Sequence, residues 1–440
     1  MIKSLLIANR GEITVRVIRT CKEMGIRAVA VYSEADRNSL GVRMADEAVC
    51  IGPPASRDSY LNQNNLISAA VLTGCDAIHP GVGFLAERAD FAERVINEGL
   101  IFVGPSPEVI RLLGDKVQAK DTAKKYGVPV IPGSDGAVSD VEEAKKIVKD
   151  IGLPVIVKAA SGGGGKGMRI VWKEEDIEST LRIASQEAES AFSDGTLYIE
   201  KYIQNPRHVE IQLLADSHGN VVHLGERDCS VQRNHQKLIE ESPSPVVSDE
   251  MRKRMGESAV RLFKEIGYVG AGTVEFLVEG DNFYFMEVNA RVQVEHPVTE
   301  MITGIDIIRE QILAAGGAKL SVTQDDIDLK GYAMECRINA KSPGKVKSYY
   351  APSGFNTRVD SFLFNNAEVS PFYDSLVAKI IVKADTREEG IARMLRALDE
   401  LEIDGVAVNT EEQKKIIAHP LFRNGDFGTD FINRIEGGDR

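Results

Sequence analysis

One stretch just past the midpoint of the chain constrains its fold most, because it combines a hairpin signal with clustered charges. Two apolar runs, residues 276–278 and 283–286, flank a short run of turn formers, 279–282, and this arrangement predicts a β-hairpin. A turn centred there makes Glu275 and Glu287 cross-strand neighbours, with Cβ atoms about 5 Å apart. Two carboxylates at that separation repel each other unless a cation lies between them, so the pattern favours a divalent metal site.

Polar residues alternate with apolar ones beyond the turn, which predicts that the strand continues with one charged face. That face carries two carboxylates, two amides and a guanidinium: Glu287, Asn289, Arg291, Gln293 and Glu295. An amphipathic strand with a solvated face is the alternative, and the spacing alone leaves it open. Solvated strand faces favour Thr, Lys and Ser, however, whereas carboxylates beside Asn and Arg are typical of sites for hard cations and anions. We therefore expect a site for a metal ion and a phosphate.

The composition of the whole chain excludes several classes of protein. A length of 440 residues predicts two to four domains. The net charge of −13 argues against binding to nucleic acid or to an anionic membrane, since both need clustered Lys and Arg, and no apolar run reaches transmembrane length. The five cysteines form no CxxC pair, so they predict reduced thiols in a cytoplasmic protein and neither a disulfide framework nor a zinc site.

The pattern of apolar runs predicts a mixed α/β and α+β protein. Residues 1–112 alternate strand-like and helix-like runs, which predicts a doubly wound α/β domain. A proline-punctuated linker follows at 128–133, and a small segment extends from there to about residue 203. The hairpin and a final block, with a strand near 375–382 and an amphipathic helix at 387–401, complete the chain.

A run of glycines, 162–167, lies between two apolar strand-like segments. It is not a dinucleotide fingerprint, because a strand follows it and not a helix, and it is not a P-loop, because Gly167 stands where Ser or Thr is needed. Backbone N–H groups without side chains around them can close over phosphate oxygens, which favours a nucleotide lid. A mobile linker is the alternative, but linkers mix Gly with Ser and are not framed by strands.

Ten motifs in chain order carry a family resemblance: IANRGE, HPG.GF, GDK, KA.SGGGGKGM, EKY, PRHVEIQ, ERDCS.QRNHQK, GTVEF, FMEVNAR.QVEHPVTE and ECRINA. The sequence resembles biotin carboxylase, an ATP-grasp enzyme, essentially from end to end. The resemblance implies an N-terminal doubly wound domain at 1–112 and an ATP-grasp region at 113–330, with a mobile glycine-loop lid at about 131–203 and a catalytic domain. It also implies a biotin carboxylase C-terminal domain at 331–440.

The resemblance assigns one group of residues to ATP and its metal ions. The implied ATP-binding residues are Lys116, Lys158, Gly164, Gly165, Glu200, Lys201, Tyr202, Ile203, His208, His235, Glu275 and Glu287. In this group Lys116 and Lys158 bind phosphates, the two glycines belong to the closing loop, and residues 200–203 hold adenine through their backbone. Glu275, Glu287 and Asn289 are implied as ligands of magnesium or manganese, with two ions expected, in agreement with the hairpin argument. From the residues alone, His208 is equally an exposed strand residue.

A second implied group holds bicarbonate and biotin, and its catalytic members are Lys237, Arg291, Glu295 and Arg337. The implied bicarbonate ligands are Lys237, Arg291, Gln293, the backbone of Val294, and Glu295. Guanidinium and amide donors suit a small anion, and a carboxylate can take its proton, so Glu295 is the expected base. ATP then gives carboxyphosphate, which decomposes to CO2 and phosphate. Phosphate removes the N1 proton of biotin, and Arg337 stabilises the enolate; a structural ion pair of Arg337 with Glu335 stays open.

The resemblance implies ATP- and bicarbonate-dependent carboxylation of biotin, as the first half-reaction of acetyl-CoA carboxylase in malonyl-CoA and fatty acid synthesis. No Met-Lys-Met biotinylation site occurs, so we expect biotin on a separate biotin carboxyl carrier protein, carboxyltransferase subunits as further partners, and a homodimer. Two departures from the family lie on the biotin side: Val82 replaces a usual Tyr, and the loop after Ala340 is short. The alternatives are another ATP-grasp ligase making an acyl-phosphate or carbamoyl-phosphate, a pyruvate or 2-oxoglutarate carboxylase subunit, and a nucleotide-binding regulatory subunit without turnover.

Overall fold

The computed structural model describes residues 1–134, 136–138, 140–159, 168–192, 195–234 and 236–437. The chain forms two compact units, the first of residues 1–128, 207–276 and 286–440 and the second of residues 129–206 and 277–285. Three residues predicted to bind ATP, Gly164, Gly165 and His235, lie outside the described residues. No helix among the described residues is both long enough and apolar enough to cross a lipid bilayer.

The first unit begins with a five-stranded parallel sheet of order β3-β2-β1-β4-β5. Its strands are β1 (Ser4–Ile7), β2 (Arg27–Ser33), β3 (Glu47–Gly52), β4 (Ala77–His79) and β5 (Ile101–Phe102). Its helices are α1 (Gly11–Glu23), α2 (Leu40–Met44), α3 (Gln63–Leu72), α4 (Ala89–Asn97), α5 (Pro107–Gly114) and α6 (Lys116–Lys125). Leu5 and Ile7 pack into the apolar core on one face of the sheet and Leu6 into the core on the other. Burial on both faces explains the continuous apolar run of β1, and the predicted doubly wound fold is confirmed.

The second unit is built on a three-stranded antiparallel sheet of order β7-β6-β8. Its elements are α7 (Val141–Ile151), β6 (Val155–Ala159), β7 (Met168–Val171), α8 (Ile177–Phe192) and β8 (Leu197–Lys201). Val157 of β6 and Ile199 of β8 belong to its apolar core. The pairing of Lys158 with Met168 brings β6 and β7 side by side, so two paired strands flank the glycine run, as the sequence predicts.

An eight-stranded sheet of order β13-β12-β9-β10-β11-β14-β19-β17 dominates the remainder of the chain. Its eight strands are β9 (Arg207–Ala215), β10 (Val221–Arg233), β11 (Gln236–Ser242), β12 (Gly270–Glu279), β13 (Asn282–Asn289), β14 (Tyr332–Asn339), β17 (Thr357–Ser361) and β19 (Leu376–Ala384). Two separate pairs of short strands are β15 (Gly344–Lys345) with β18 (Glu368–Val369), and β16 (Ser348–Tyr350) with β20 (Glu402–Asp404). The helices are α9 (Asp249–Glu265), α10 (His296–Thr303), α11 (Ile307–Ala315), α12 (Arg387–Glu400), α13 (Thr410–Ala418), α14 (Pro420–Arg423) and α15 (Phe431–Ile435). β11 pairs antiparallel with β14, and β14 pairs antiparallel with β19. Residues far apart in sequence therefore meet on this sheet.

The predicted hairpin is present, but its second strand is shorter than the alternating pattern suggests. A tight turn that includes Gly280, at φ +57°, joins β12 to β13. β13 ends at Asn289, and residues 290–295 form an irregular segment that leads into α10. The prediction of one strand extending to Glu295 is therefore wrong. Pro297 in the first turn of α10 has no N–H to give to a strand ladder and favours a helix start.

Candidate active site

The ammonium group of Lys237 is surrounded by three carboxylates. Its Nζ lies 2.7 Å from Glu210 Oε2, 3.0 Å from Glu275 Oε1 and 2.7 Å from Glu295 Oε1. An ammonium has three N–H donors and no acceptor, so these contacts use its full hydrogen-bonding capacity. Burial opposes the charge, but the nearby carboxylates hold the pKa of Lys237 well above its usual value. Lys237 is therefore a largely buried, charged centre that joins strands β9, β11 and β12.

Glu295, which precedes α10, lies between two cations. Lys237 donates to its Oε1, and Arg337 Nη2 donates to its Oε2 at 2.9 Å. Burial favours the neutral acid, but Lys237, Arg337 and the fully buried Arg227 hold the pKa of Glu295 well below its usual value. The side chain is almost completely buried, at 2% exposure. Both carboxylate oxygens of Glu295 therefore accept hydrogen bonds from cationic side chains.

The sequence left open an ion pair between Arg337 and Glu335, and Arg337 bonds to two other carboxylates. Its Nε donates to Glu240 Oε1 at 2.6 Å, and its second contact is with Glu295. Glu240 and Glu335 are directly opposed on β11 and β14. Neither carboxyl oxygen of Glu335 has a hydrogen-bond partner among the described residues, and burial raises the pKa of this group well above its usual value. Burial thus disfavours the charged form of Glu335, and Arg337 bonds to Glu295 and Glu240 instead.

Glu275, a predicted metal ligand, receives donors on both carboxylate oxygens. Its Oε1 accepts from Asn289 Nδ2 and Gln293 Nε2, both at 2.8 Å, in addition to Lys237. Its Oε2 lies 2.8 Å from His208 Nε2, which corrects the alternative of an exposed His208. Burial opposes ionisation, but Lys237 and His208 lower the pKa of Glu275. Glu275 is therefore a buried carboxylate that stays charged.

Arg291 is held by a residue that the sequence did not single out, Glu87. Arg291 Nε donates to Glu87 Oε2 at 2.8 Å, and the other oxygen of Glu87 accepts the N–H of Ala290 at 2.9 Å. Arg291 Nη2 donates to Asn289 Oδ1 at 3.0 Å. Glu87 thus holds both the backbone N–H of Ala290 and the side chain of Arg291, the predicted bicarbonate ligand.

The carbonyl of Val294 accepts a hydrogen bond from Lys379 Nζ at 2.6 Å. Val294 was predicted to contribute its backbone to bicarbonate binding, together with Lys237, Arg291, Gln293 and Glu295. The structure brings the last four residues into one hydrogen-bonded network around Glu275 and Asn289. The convergence that the hairpin argument predicted is therefore present, although the segment that carries it is not a strand.

Sequence reasoning also missed Arg227 and Glu210, which lie beneath this network. Arg227 is fully buried and donates to Glu210 Oε1 at 2.6 Å, to Gln212 Oε1 at 2.8 Å and to Gln293 Oε1 at 2.8 Å. The signal was present in β9, where His208, Glu210 and Gln212 alternate in a strand that is buried along its whole length. A buried carboxylate needs a cationic partner, so this pattern predicts a buried Lys or Arg nearby.

The donor groups fit a hard divalent cation. Glu287, the second predicted ligand, is a half-exposed carboxylate, and Lys116 Nζ lies 3.6 Å from its Oε2. Among the described residues, Oε2 of Glu275 meets a donor from His208 alone, which leaves it a lone pair for a cation. Asn289 already uses its oxygen for Arg291 and its nitrogen for Glu275. Ionised carboxylate oxygens are the ligands that magnesium and manganese prefer, so Glu275 and Glu287 fit better than Asn289.

The second unit carries Lys158 and residues 200–203, which were also predicted to bind ATP. Lys158 Nζ lies 2.5 Å from Glu200 Oε2. The N–H of Lys201 bonds to the carbonyl of Pro132 at 2.8 Å, and that of Tyr202 bonds to the carbonyl of Pro154 at 3.0 Å. Ile203 follows as a buried residue. Two backbone donors of the predicted adenine-binding segment are thus already bonded within this unit.

Three protein families match successive parts of the chain. The biotin carboxylase N-terminal domain matches residues 1–110, the carbamoyl-phosphate synthase L chain ATP binding domain matches residues 115–323, and the biotin carboxylase C-terminal domain matches residues 335–434. The chain is 54% identical to biotin carboxylase 1 of Bacillus subtilis over 446 aligned residues, which cover 99% of each protein.

Solved structures agree with these matches. The biotin carboxylase domain of a thermophilic 2-oxoglutarate carboxylase bound to ADP has a TM-score of 0.95 and 48% identity, with each chain fully covered. The corresponding domain dimer from Hydrogenobacter thermophilus, in complex with MgADP, ADP and bicarbonate, has a TM-score of 0.87 and 48% identity, covering 100% of this chain and 99% of that one. Over its whole length, therefore, this chain belongs to the biotin carboxylase family.

Proposed function

We propose that this chain catalyses the ATP- and bicarbonate-dependent carboxylation of biotin. The observation that supports this most is the position of Glu295, whose two oxygens contact Lys237 and Arg337. Two largely buried cations beside a carboxylate provide both a binding place for a small anion and an acceptor for its proton. Family membership and the bound MgADP and bicarbonate of the Hydrogenobacter relative agree with this chemistry.

The first step is the activation of bicarbonate. Lys237, Arg291, Gln293 and the backbone of Val294 bind the anion, which competes with Glu295 for the ammonium of Lys237. Because Lys237 is a main reason for the low pKa of Glu295, weakening their contact raises that pKa. Glu295 then accepts the proton of bicarbonate, and the resulting oxyanion attacks the γ-phosphorus of ATP. The products are ADP and carboxyphosphate.

The second step transfers the carboxyl group to biotin. Carboxyphosphate decomposes to CO2 and phosphate, phosphate takes the N1 proton of biotin, and N1 attacks CO2. Arg337 stabilises the biotin enolate, for which it must exchange a contact with Glu295 or Glu240 for one with the ureido oxygen. Before that exchange, its contacts with Glu295 at 2.9 Å and Glu240 at 2.6 Å hold the guanidinium in place.

We assign the metal to Glu275 and Glu287, with Asn289 as a third contact. A bound magnesium or manganese ion neutralises phosphate charge during phosphoryl transfer. Lys116, which lies next to Glu287, binds the phosphates of ATP in this proposal. His208 orients Glu275 through its contact with Oε2. For the second unit, the assignment of Lys158 to a phosphate and of residues 200–203 to adenine rests on the family resemblance, as do the roles of Gly164, Gly165 and His235.

We propose a biotin carboxyl carrier protein as the substrate and acetyl-CoA carboxylase, with separate carboxyltransferase subunits, as the assembly. The dimeric Hydrogenobacter relative supports a homodimer. Relatives that belong to 2-oxoglutarate carboxylase keep that acceptor as the alternative. The five cysteines are free thiols, which suits a reducing compartment such as the cytoplasm.

The test is the fixation of labelled bicarbonate. The purified chain is incubated with ATP, magnesium, labelled bicarbonate and free biotin, and the acid-labile label bound to biotin is measured. We expect biotin-bound label that depends on ATP and matches the ADP formed. Label in an amine product or an acyl-phosphate, with none on biotin, would identify another ATP-grasp ligase and overturn the proposal.

A further inference from the structure

A buried lysine outside the predicted site, Lys379, controls the backbone next to the expected base. Lys379 lies on β19, has no exposed surface, and donates from Nζ to the carbonyl of Val294 at 2.6 Å. That carbonyl belongs to the peptide bond that joins Val294 to Glu295. Because a peptide group is planar, fixing its oxygen also fixes the N–H and the Cα atom of Glu295, from which that side chain leaves the backbone.

Lys379 is directly opposed to Arg337 across the β14–β19 ladder. Directly opposed residues of an antiparallel pair project from the same face, with Cβ atoms about 5 Å apart, and like charges there are destabilising. The two cations nevertheless act on consecutive residues of one segment. Arg337 bonds to the carboxylate of Glu295, and Lys379 bonds to the carbonyl before it.

The counter-charges of Lys379 come from other elements. Glu12 Oε2, from α1, lies 3.2 Å from Nζ, and Asp360 Oδ2, from β17, lies 4.0 Å away. Asp360 is also held by Nε and Nη2 of Arg358, so of these two carboxylates Glu12 depends more on Lys379. These contacts account for the stability of the charge. A lysine placed only for these ion pairs would not need the hydrogen bond to Val294, so that bond points to a separate role.

We propose that Lys379 is a positioning residue for the bicarbonate step. It holds the peptide between Val294 and Glu295 so that the Glu295 carboxylate faces Lys237 and Arg337. This inference rests on the proposed function for its consequence in catalysis. The ordering of residues 290–295 by Lys379 is independent of the proposed function and can be measured without turnover.

The test uses two double variants that share the same charge. Glu12→Gln is combined either with Lys379→Met, which removes the hydrogen-bond donor, or with Lys379→Gln, which keeps an N–H donor of similar size. Glu12→Gln in both removes the carboxylate that would otherwise remain buried without its cation. Lys383→Met, on the same strand, is the control for loss of a lysine.

We expect the Met variant to raise the KM for bicarbonate about tenfold or more, as the loss of a charge-assisted hydrogen bond predicts, and to leave the KM for ATP within about twofold. The Gln variant should show a smaller rise, and Lys383→Met should show none. Amide exchange in residues 290–296 should be faster in the Met variant alone. A Met variant with the wild-type KM for bicarbonate, or equal rises in both KM values, would overturn the proposal.

The two readouts separate the two hypotheses. If the wild-type chain shows no bicarbonate-dependent ADP release, the proposed function fails, and the amide-exchange comparison still decides whether Lys379 orders the segment. If the wild type is active and the Met variant matches it in both KM and exchange, only the positioning role fails.

Discussion

Lys237 Nζ lies 2.7 Å from Glu295 Oε1, and the two side chains are 13% and 2% exposed. A proton acceptor in direct contact with a permanent cation is a weak base, as the lowered pKa of Glu295 indicates. The same contact allows an incoming anion to make Glu295 more basic by competing for Lys237. This coupling between anion binding and basicity is the physical basis of the predictions below.

Replacing Glu295 by Gln should abolish turnover with little loss of nucleotide binding. An amide cannot accept the proton, and loss of a general base lowers rates by about 10²–10⁴-fold. The measurement is kcat for ADP release beside the Kd for ATP. Glu241→Gln is the matched control, because Glu241 is also a buried carboxylate held by an arginine, Arg387, at 2.8 Å. An active Glu295→Gln variant would remove the base assignment.

Replacing Lys237 by Gln should raise the KM for bicarbonate more than the KM for ATP. It should also destabilise the protein, because Glu210, Glu275 and Glu295 would lose their common cation, and breaking a buried ion pair costs about 3–5 kcal/mol. Steady-state kinetics and the thermal midpoint test the two effects. Lys414→Gln, which removes a partly exposed lysine from Asp399 and Glu411, should change neither. A larger rise in the KM for ATP than in the KM for bicarbonate would assign Lys237 to the nucleotide site.

Replacing Glu287 by Gln should abolish activity at ordinary magnesium concentrations and leave the fold intact. Glu287 is half-exposed and has only a distant contact with Lys116, so its loss costs little stability. Turnover is measured across a magnesium titration, with circular dichroism for the fold. Glu93→Gln is the control, since Glu93 is a similarly exposed carboxylate paired with Arg111. Full activity of Glu287→Gln would refute its role as a ligand.

Glu240 should make the stability of the protein depend on pH. Burial and the neighbouring Glu295 raise its pKa from the usual 4.5 to about 7, against the attraction of Arg337. The native state therefore keeps a proton that the unfolded chain has lost, so this stabilising contribution is present below pH 4.5 and is lost as the pH rises through about 7.

Thermal midpoints of the wild type and of Glu240→Gln, compared from about pH 5 to about pH 8, isolate that group. The variant should gain stability relative to the wild type as the pH rises through this range. A constant difference, or one of the opposite sign, would show that Glu240 titrates normally in the native state.

Local signals made much of this site predictable. The turn residues around Gly280 fixed the hairpin, and the run of polar residues after it identified Asn289, Arg291, Gln293 and Glu295 as a group. The strand prediction failed beyond Asn289 because alternation describes an extended chain equally well whether or not it pairs in a sheet. Pro297 and the hydrogen-bond partners of residues 290–295 decided the outcome.

The partners of the site residues were the part that sequence could not supply. Arg337 has an acidic neighbour two residues away, Glu335, yet it bonds to Glu240, 97 residues earlier in the chain. Glu87 reaches Arg291 across 204 residues. Such contacts depend on which strands pair, and one sequence carries no direct signal of strand order.

The release of ADP, with bicarbonate and biotin each omitted in turn, tests the central claim most directly. We expect release only when bicarbonate is present, a marked increase on addition of free biotin, and no response to amines. ADP release without bicarbonate, or stimulation by an amine and not by biotin, would contradict the account. So would ATP binding without any release, which is the behaviour of a regulatory subunit.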